Sequence, residues 1–208
     1  MLNSRMAWSV CMAVIVTVVV AGCGAGSDSG SPEQTAAPPN TTAAPAQLVW
    51  DTFRGVRLPR SPIDGPRNSG DAVPTGYSRT PQGAVLAAVR GQAMLALAGD
   101  GEWGRVLSVV TAPGPGRDEF AANRMVLSIR GPVPADMAPK FVAFKVIGFS
   151  NTTAAVHVVT ESGTPTHRYA YPVALAWIDD WRIVLPTTAE AVDAIELPTL
   201  DGYTRLEG

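Results

Sequence analysis

Residues 141–185, FVAFKVIGFSNTTAAVHVVTESGTPTHRYAYPVALAWIDDWRIVL, decide the fold. Phe141 to Phe149, Thr153 to Thr160 and Arg168 to Ile178 are rich in β-branched and aromatic residues. Ser150-Asn151 and Ser162-Gly163 separate them as turns. A fourth run, Trp181 to Leu185, follows Asp179-Asp180, which reads as a two-residue hairpin loop. That loop places Trp177 opposite Arg182, within reach of a cation–π contact. Side chains alternate along a strand, so Tyr169, Tyr171, Val173, Leu175 and Trp177 share one face. Pro186 stops the sheet. Four consecutive strand signals with short turns describe an antiparallel meander.

Upstream the pattern changes from strand to helix. Thr80-Pro81 combines a favoured N-cap with a proline at the first helical position. The segment Gln82 to Ala98 carries one charge, Arg90, and ends at Gly99. It is apolar nearly all round and is therefore expected to be buried. Gly83, Ala87 and Gly91 form a small-residue stripe suited to close packing. Asp100 to Val110 reads as a short second helix. Pro113-Gly114-Pro115-Gly116 breaks it. Arg117 to Ile129 reads as a third, with Asp118 and Glu119 in its first turn. Thr188 to Ile195 reads as a short terminal helix. Helices followed by an antiparallel meander predict an α+β domain over 81–200.

Before the helices, residues 48–80 read as an irregular but ordered arm. Trp50, Phe53, Val56, Leu58 and Ile63 punctuate it, and its prolines exclude a long helix or central strand. The arm and the domain form one unit. Residues 23–47 are rich in Gly, Ser, Pro, Thr and Ala and read as a disordered tether. Residues 201–208 read as a tail. The chain of 208 residues is 46% hydrophobic with a net charge of −2. That apolar content can build a core. The charge gives no basic stripe for nucleic acid.

At the N-terminus, Arg5 precedes an uncharged apolar run from Met6 to Val20, and Val20-Ala21-Gly22-Cys23 closes it. This is a secretory signal over 1–22. Its junction resembles the lipobox of bacterial lipoproteins, which implies a lipid on Cys23 and cleavage before it. A transmembrane anchor or plain secretion are the alternatives, since the run is short for a span. All three place the rest of the chain outside the cytoplasm, and the lipobox reading puts it on the extracytoplasmic face of the cell membrane with the lipid as its anchor. The chain has two cysteines, Cys11 within the signal and Cys23. The domain is thus expected to hold together without a disulfide.

No constellation for chemistry emerges. Gly99 to Gly104 spells G-x-G-x-x-G but follows a helix, so a turn is the better reading. His157 lies mid-strand and His167 near a turn, neither in metal-ligand spacing. Asp136, Asp179 and Asp180 fall in turns. The chain therefore reads as non-enzymatic, with no metal and no cofactor. Tyr169, Tyr171, Trp177 and Trp181 are the candidates for a ligand cavity or an interface, with core packing as their alternative role. The sequence leaves homo-oligomerisation open.

The motif Gly76-Tyr77-Ser78-Arg79-Thr80-Pro81-Gln82-Gly83-Ala84-Val85-Leu86-Ala87-Ala88 resembles the helix entry of an uncharacterised extracytoplasmic domain of actinobacterial conjugative elements. Trp181-Arg182-Ile183-Val184-Leu185-Pro186 is similar to its closing strand, and the Trp50 to Pro66 arm fits the same pattern. The resemblance implies a cystatin-like cone, helices packed on a curved antiparallel sheet, as in the scaffold subunits of type IV secretion. It implies a membrane-anchored scaffold or accessory of conjugation or secretion machinery, with protein partners there. A lipoprotein holding a small apolar ligand or lipid inside the cone is the alternative.

Overall fold

A helix that is apolar on every side must be covered on every side. In a computed structural model that describes residues 38–206, this requirement organises the molecule. The helix is α1, Pro81–Leu97, capped by the Thr80 hydroxyl, which accepts from the Gly83 N–H. Two further helices follow, α2 at Trp103–Val110 and α3 at Pro115–Arg124. The strands of the main sheet are β3 Lys140–Phe149, β4 Thr153–Ser162, β5 His167–Trp177 and β6 Trp181–Val184. Ahead of α1 lie β1, Val49–Phe53, and β2, Val56–Arg60. Two short strands close the chain, β7 at Ile195–Glu196 and β8 at Thr204–Arg205.

The sheet runs β6-β5-β4-β3-β8, with β7 joining β5 beside β6, and its strands are antiparallel. One face takes α1 through Phe144, Val156, Val158, Val173, Leu175 and Ile183. The opposite face is covered in part by Leu197, Leu200 and Tyr203 over Ala143, Val159 and Ala170.

The α+β class holds, but the cystatin-like cone does not. The six-stranded sheet is open: β6 and β8 end it without meeting, and it neither closes nor curls round the helix. The physical reason lies in the arm. Residues 49–60 form an antiparallel hairpin whose Val56 and Leu58 are fully buried in the core with α1. This separate two-stranded sheet covers the flank of α1 that a curled sheet would have wrapped. Buried Arg90 locks it, donating to the Pro59 carbonyl at 3.1 Å and pairing with Asp51. The arm is therefore more regular than its prolines suggested, and Pro59 is tolerated because the hairpin is only two strands wide.

Other boundaries also shift. Residues 38–47, assigned to the tether, are tied to the domain. Gln82 donates to the carbonyls of Asn40 and Ala43, and Ala46 exchanges hydrogen bonds with Ser61 and Asp64. Each joins a polar side chain of the domain to the backbone of residues 40–46, which leaves no trace in a hydrophobicity pattern. The rest of the tether, the signal and Cys23 lie outside the described residues. Within the expected tail, Thr204–Arg205 returns to the sheet as β8, pairing with Phe144 and Ala143. Thr188 to Ile195 is not a helix. Glu190 closes a single turn on Thr187, exposed Val192 has nothing to pack on, and Ile195 pairs with Ala170 instead. Helix α3 starts on Pro115 and stops at Arg124, five residues before the expected end.

Candidate functional site

The clearest irregularity of the sheet is a bare stretch on the outer edge of β5. Ala174 pairs with Val184 of β6, and Ala170 pairs with Ile195 of β7. Tyr171, Pro172 and Val173 lie between them with no strand on that side among the described residues. Pro172 has no N–H, so this edge offers fewer free donors to a stray strand. A groove opens on each side of the gap, and Gln92, Leu95 and Leu185 border both. The helix-side groove, ≈ 430 Å³, is walled by Leu97, Phe120, Phe141, Tyr171 and Leu185, with Thr160 as a polar group. The other, ≈ 550 Å³, reaches round the edge to Ile147, His157, Pro172 and Val192. Neither is enclosed: Ala96 and Tyr171 on the first and Val192 on the second are exposed.

The groups that could carry acid–base chemistry are mostly engaged in contacts of their own. His157 Nδ1 lies 3.4 Å from the Tyr203 hydroxyl, and burial with the nearby Lys145 charge lowers its pKa. His167 pairs with Glu196 at 3.0 Å on an exposed edge. Asp180, read from sequence as a turn residue, is a clasp. Its carboxylate accepts from the Gly76 N–H at 2.7 Å, Tyr77 at 3.1 Å and Trp181 at 2.9 Å. Burial pushes the neighbouring Tyr77 phenol well above its ordinary range, so it stays neutral. The void beside this pair is ≈ 20 Å³, too small for a substrate. Asp136 is exposed on the loop before β3. Among the described residues no cluster of His, Cys, Asp or Glu could hold a metal, and no helix is long and apolar enough to cross a membrane.

The four aromatic candidates do not share a site. Tyr171 lines the helix-side groove. Tyr169 stacks on His167 at 6.4 Å. Trp181 is buried in the core, where its indole N–H donates to the Ser78 carbonyl at 2.9 Å. Trp177 packs edge-on against it at 5.3 Å, with the Arg79 guanidinium 5.0 Å from the Trp177 ring. The loop between β5 and β6 is three residues, not two, so Trp177 faces Trp181 rather than Arg182. The Asp180 clasp fixes that register, and Asp179 takes the positive φ of 61° that the longer loop demands.

Sequence reasoning passed over the most exposed apolar cluster. Met125, Val126 and Leu127 follow α3 and are 74%, 85% and 59% exposed. Met137 is exposed as well. This prong is ordered by polar groups beneath it. Buried Arg124 donates to the Leu127 carbonyl at 2.6 Å and the Ala98 carbonyl at 2.8 Å. Asp100 accepts from the Ser128 hydroxyl at 2.7 Å and the Ile129 N–H at 3.0 Å. Those two bonds hold the Asp100 carboxyl below the usual carboxylate range. They also explain why α3 stops early: its expected last turn is recruited by Asp100. The signal in the sequence was the Met-Val-Leu run, which reads as helix interior when taken alone.

The chain belongs to a family described as a domain of unknown function (DUF8175), matched over residues 20–205. Comparison with curated proteins and with solved structures gives no match.

Proposed function

We propose that this protein is an extracytoplasmic lipoprotein, anchored through Cys23, whose domain docks protein partners and turns over no substrate. The observation that carries the reading is the prong. Three contiguous apolar side chains exposed to water are unfavourable for an isolated domain, yet buried Arg124 and Asp100 hold them in one conformation. A pre-ordered apolar projection loses little entropy when a partner covers it, which is what a docking element requires.

Two further features support the reading. The lipobox-like junction falls inside the family match, which begins at Val20. The described chain starts at Pro38, beside the N-terminus of α1, whereas the prong leans on Ala98 at its other end, about 25 Å away. The prong thus stands on the pole remote from the point where the anchored chain enters. A soluble face of another protein suits that position better than the anchoring bilayer. The link to conjugation machinery rests on the motif resemblance alone, and no particular machine is proposed. A carrier role is less well supported, because the core around α1 is filled and both grooves are open.

Phase partition in detergent tests the anchor. The full chain is expected in the detergent phase, and Cys23→Ser in the aqueous phase with an unchanged circular dichroism spectrum. Aqueous partition of the unaltered chain expressed in a lipoprotein-processing host would remove the anchor.

A further inference from the structure

We propose that the prong of one copy seats in the helix-side groove of a second copy, reciprocally about a two-fold axis. The inference rests on the docking reading of the prong and commits it to a partner. A two-fold interface needs projection and concavity on the same face of one molecule. Both are present at the C-terminal end of α1. Phe120 in the groove precedes Met125 by five residues, about 7.5 Å along a helix. Leu97 walls the groove, and the next residue, Ala98, accepts from the Arg124 guanidinium that sets the prong.

The two surfaces match in chemistry. No charged side chain lines the groove, and none occurs in Met125–Leu127. They also match in size. At protein packing density, a space of ≈ 430 Å³ holds roughly 320 Å³ of atoms, enough for a few medium apolar side chains. Burying three such chains removes on the order of 300 Å² per prong; with both prongs and an equal area of groove the interface is about 1,200 Å². That is the lower limit for a specific interface, so the pair is weak in dilute solution. Confinement to a surface raises the effective concentration and favours it.

The test uses the full chain in its membrane, with a photo-reactive benzoylphenylalanine at position 126. The expected product is a dimer-mass adduct whose cross-linked peptide contains Ala96–Leu97, Phe141 or Tyr171. Two differently tagged copies are then co-purified. Val126→Lys and Ala96→Glu each lie at an exposed position and leave the fold intact. Each alone is expected to lower co-purification at least tenfold. Both in one chain restore it, because every prong then meets an opposite charge. A double variant that stays at the level of the single ones overturns the pairing. So does an adduct formed only with lipid, only with a different protein, or not at all. An adduct with a different protein leaves the docking reading standing while removing self-pairing.

Discussion

Asp180→Ala removes the acceptor that joins the hairpin between β5 and β6 to the segment entering α1. Three backbone N–H groups lose their partner, those of Gly76, Tyr77 and Trp181, and the last two residues are buried. A hydrogen bond to a charged group contributes about 1.5–3 kcal/mol, and a buried donor left unpaired costs about 1–3 kcal/mol. Water can reach the half-exposed Asp180 position, so the total sits near the lower end, roughly 3 kcal/mol. For a unit of this size that lowers the melting temperature by about 6–12 °C. Thermal unfolding followed by circular dichroism reads it, with two companion variants. Asp180→Asn keeps one acceptor oxygen and is expected to lose about half as much. Asp179→Gly relieves a left-handed backbone at φ 61° and is expected to be neutral or slightly stabilising. A loss under about 1 kcal/mol for Asp180→Ala, or one no larger than that of Asp179→Gly, would refute the clasp.

Other substitutions probe the remaining contacts. Gly116→Ala places a Cβ 2.0 Å from the Leu185 carbonyl oxygen and 2.5 Å from that of Pro186. Backbone cannot yield as a side chain does, so a loss of about 1–3 kcal/mol is expected in urea denaturation. His157 has a lowered pKa in the fold, so the unfolded chain binds its proton more readily. Its contribution is therefore complete above about pH 6.5 and fades as pH falls through the lower folded value. His157→Gln should flatten that part of the stability–pH curve, and an unchanged slope between pH 7.5 and 5 would contradict it. Asp100→Ala should speed amide exchange at Ile129 by tenfold or more while exchange within α1 stays the same. Equal acceleration in both would mean that Asp100 supports the whole fold rather than the prong.

Much of the sheet was legible in the sequence because its strands alternate cleanly. Val156 and Val158 against Ala155 and His157 is a period of two that only one register satisfies. The burial of α1 was legible for the same kind of reason, since an unbroken apolar run leaves no face for water. What the sequence concealed was held by polar contacts or by long-range pairing. Pro59 argued against a strand, yet Arg90 binds its carbonyl and fixes the hairpin. Residues 40–46 lack apolar bulk, so their docking through Gln82, Ser61 and Asp64 leaves no periodic trace. The cone came from the resemblance of short motifs, which carry no information on how the 49–60 hairpin covers α1. The prong escaped because Met125-Val126-Leu127 is unremarkable until Arg124 and Asp100, distant in sequence, are seen beneath it.

The central claim is that the prong exists for docking and not for stability. Replacing Met125, Val126 and Leu127 together by Ser tests it most directly. The full chain's melting temperature is measured after extraction in mild detergent, and its sedimentation after chemical cross-linking in the membrane, where any docked partner is captured. The expected result is an unchanged or slightly raised melting temperature with collapse of the sedimenting species to a monomer. A clearly lowered melting temperature, or an unaltered sedimentation profile, would contradict the account.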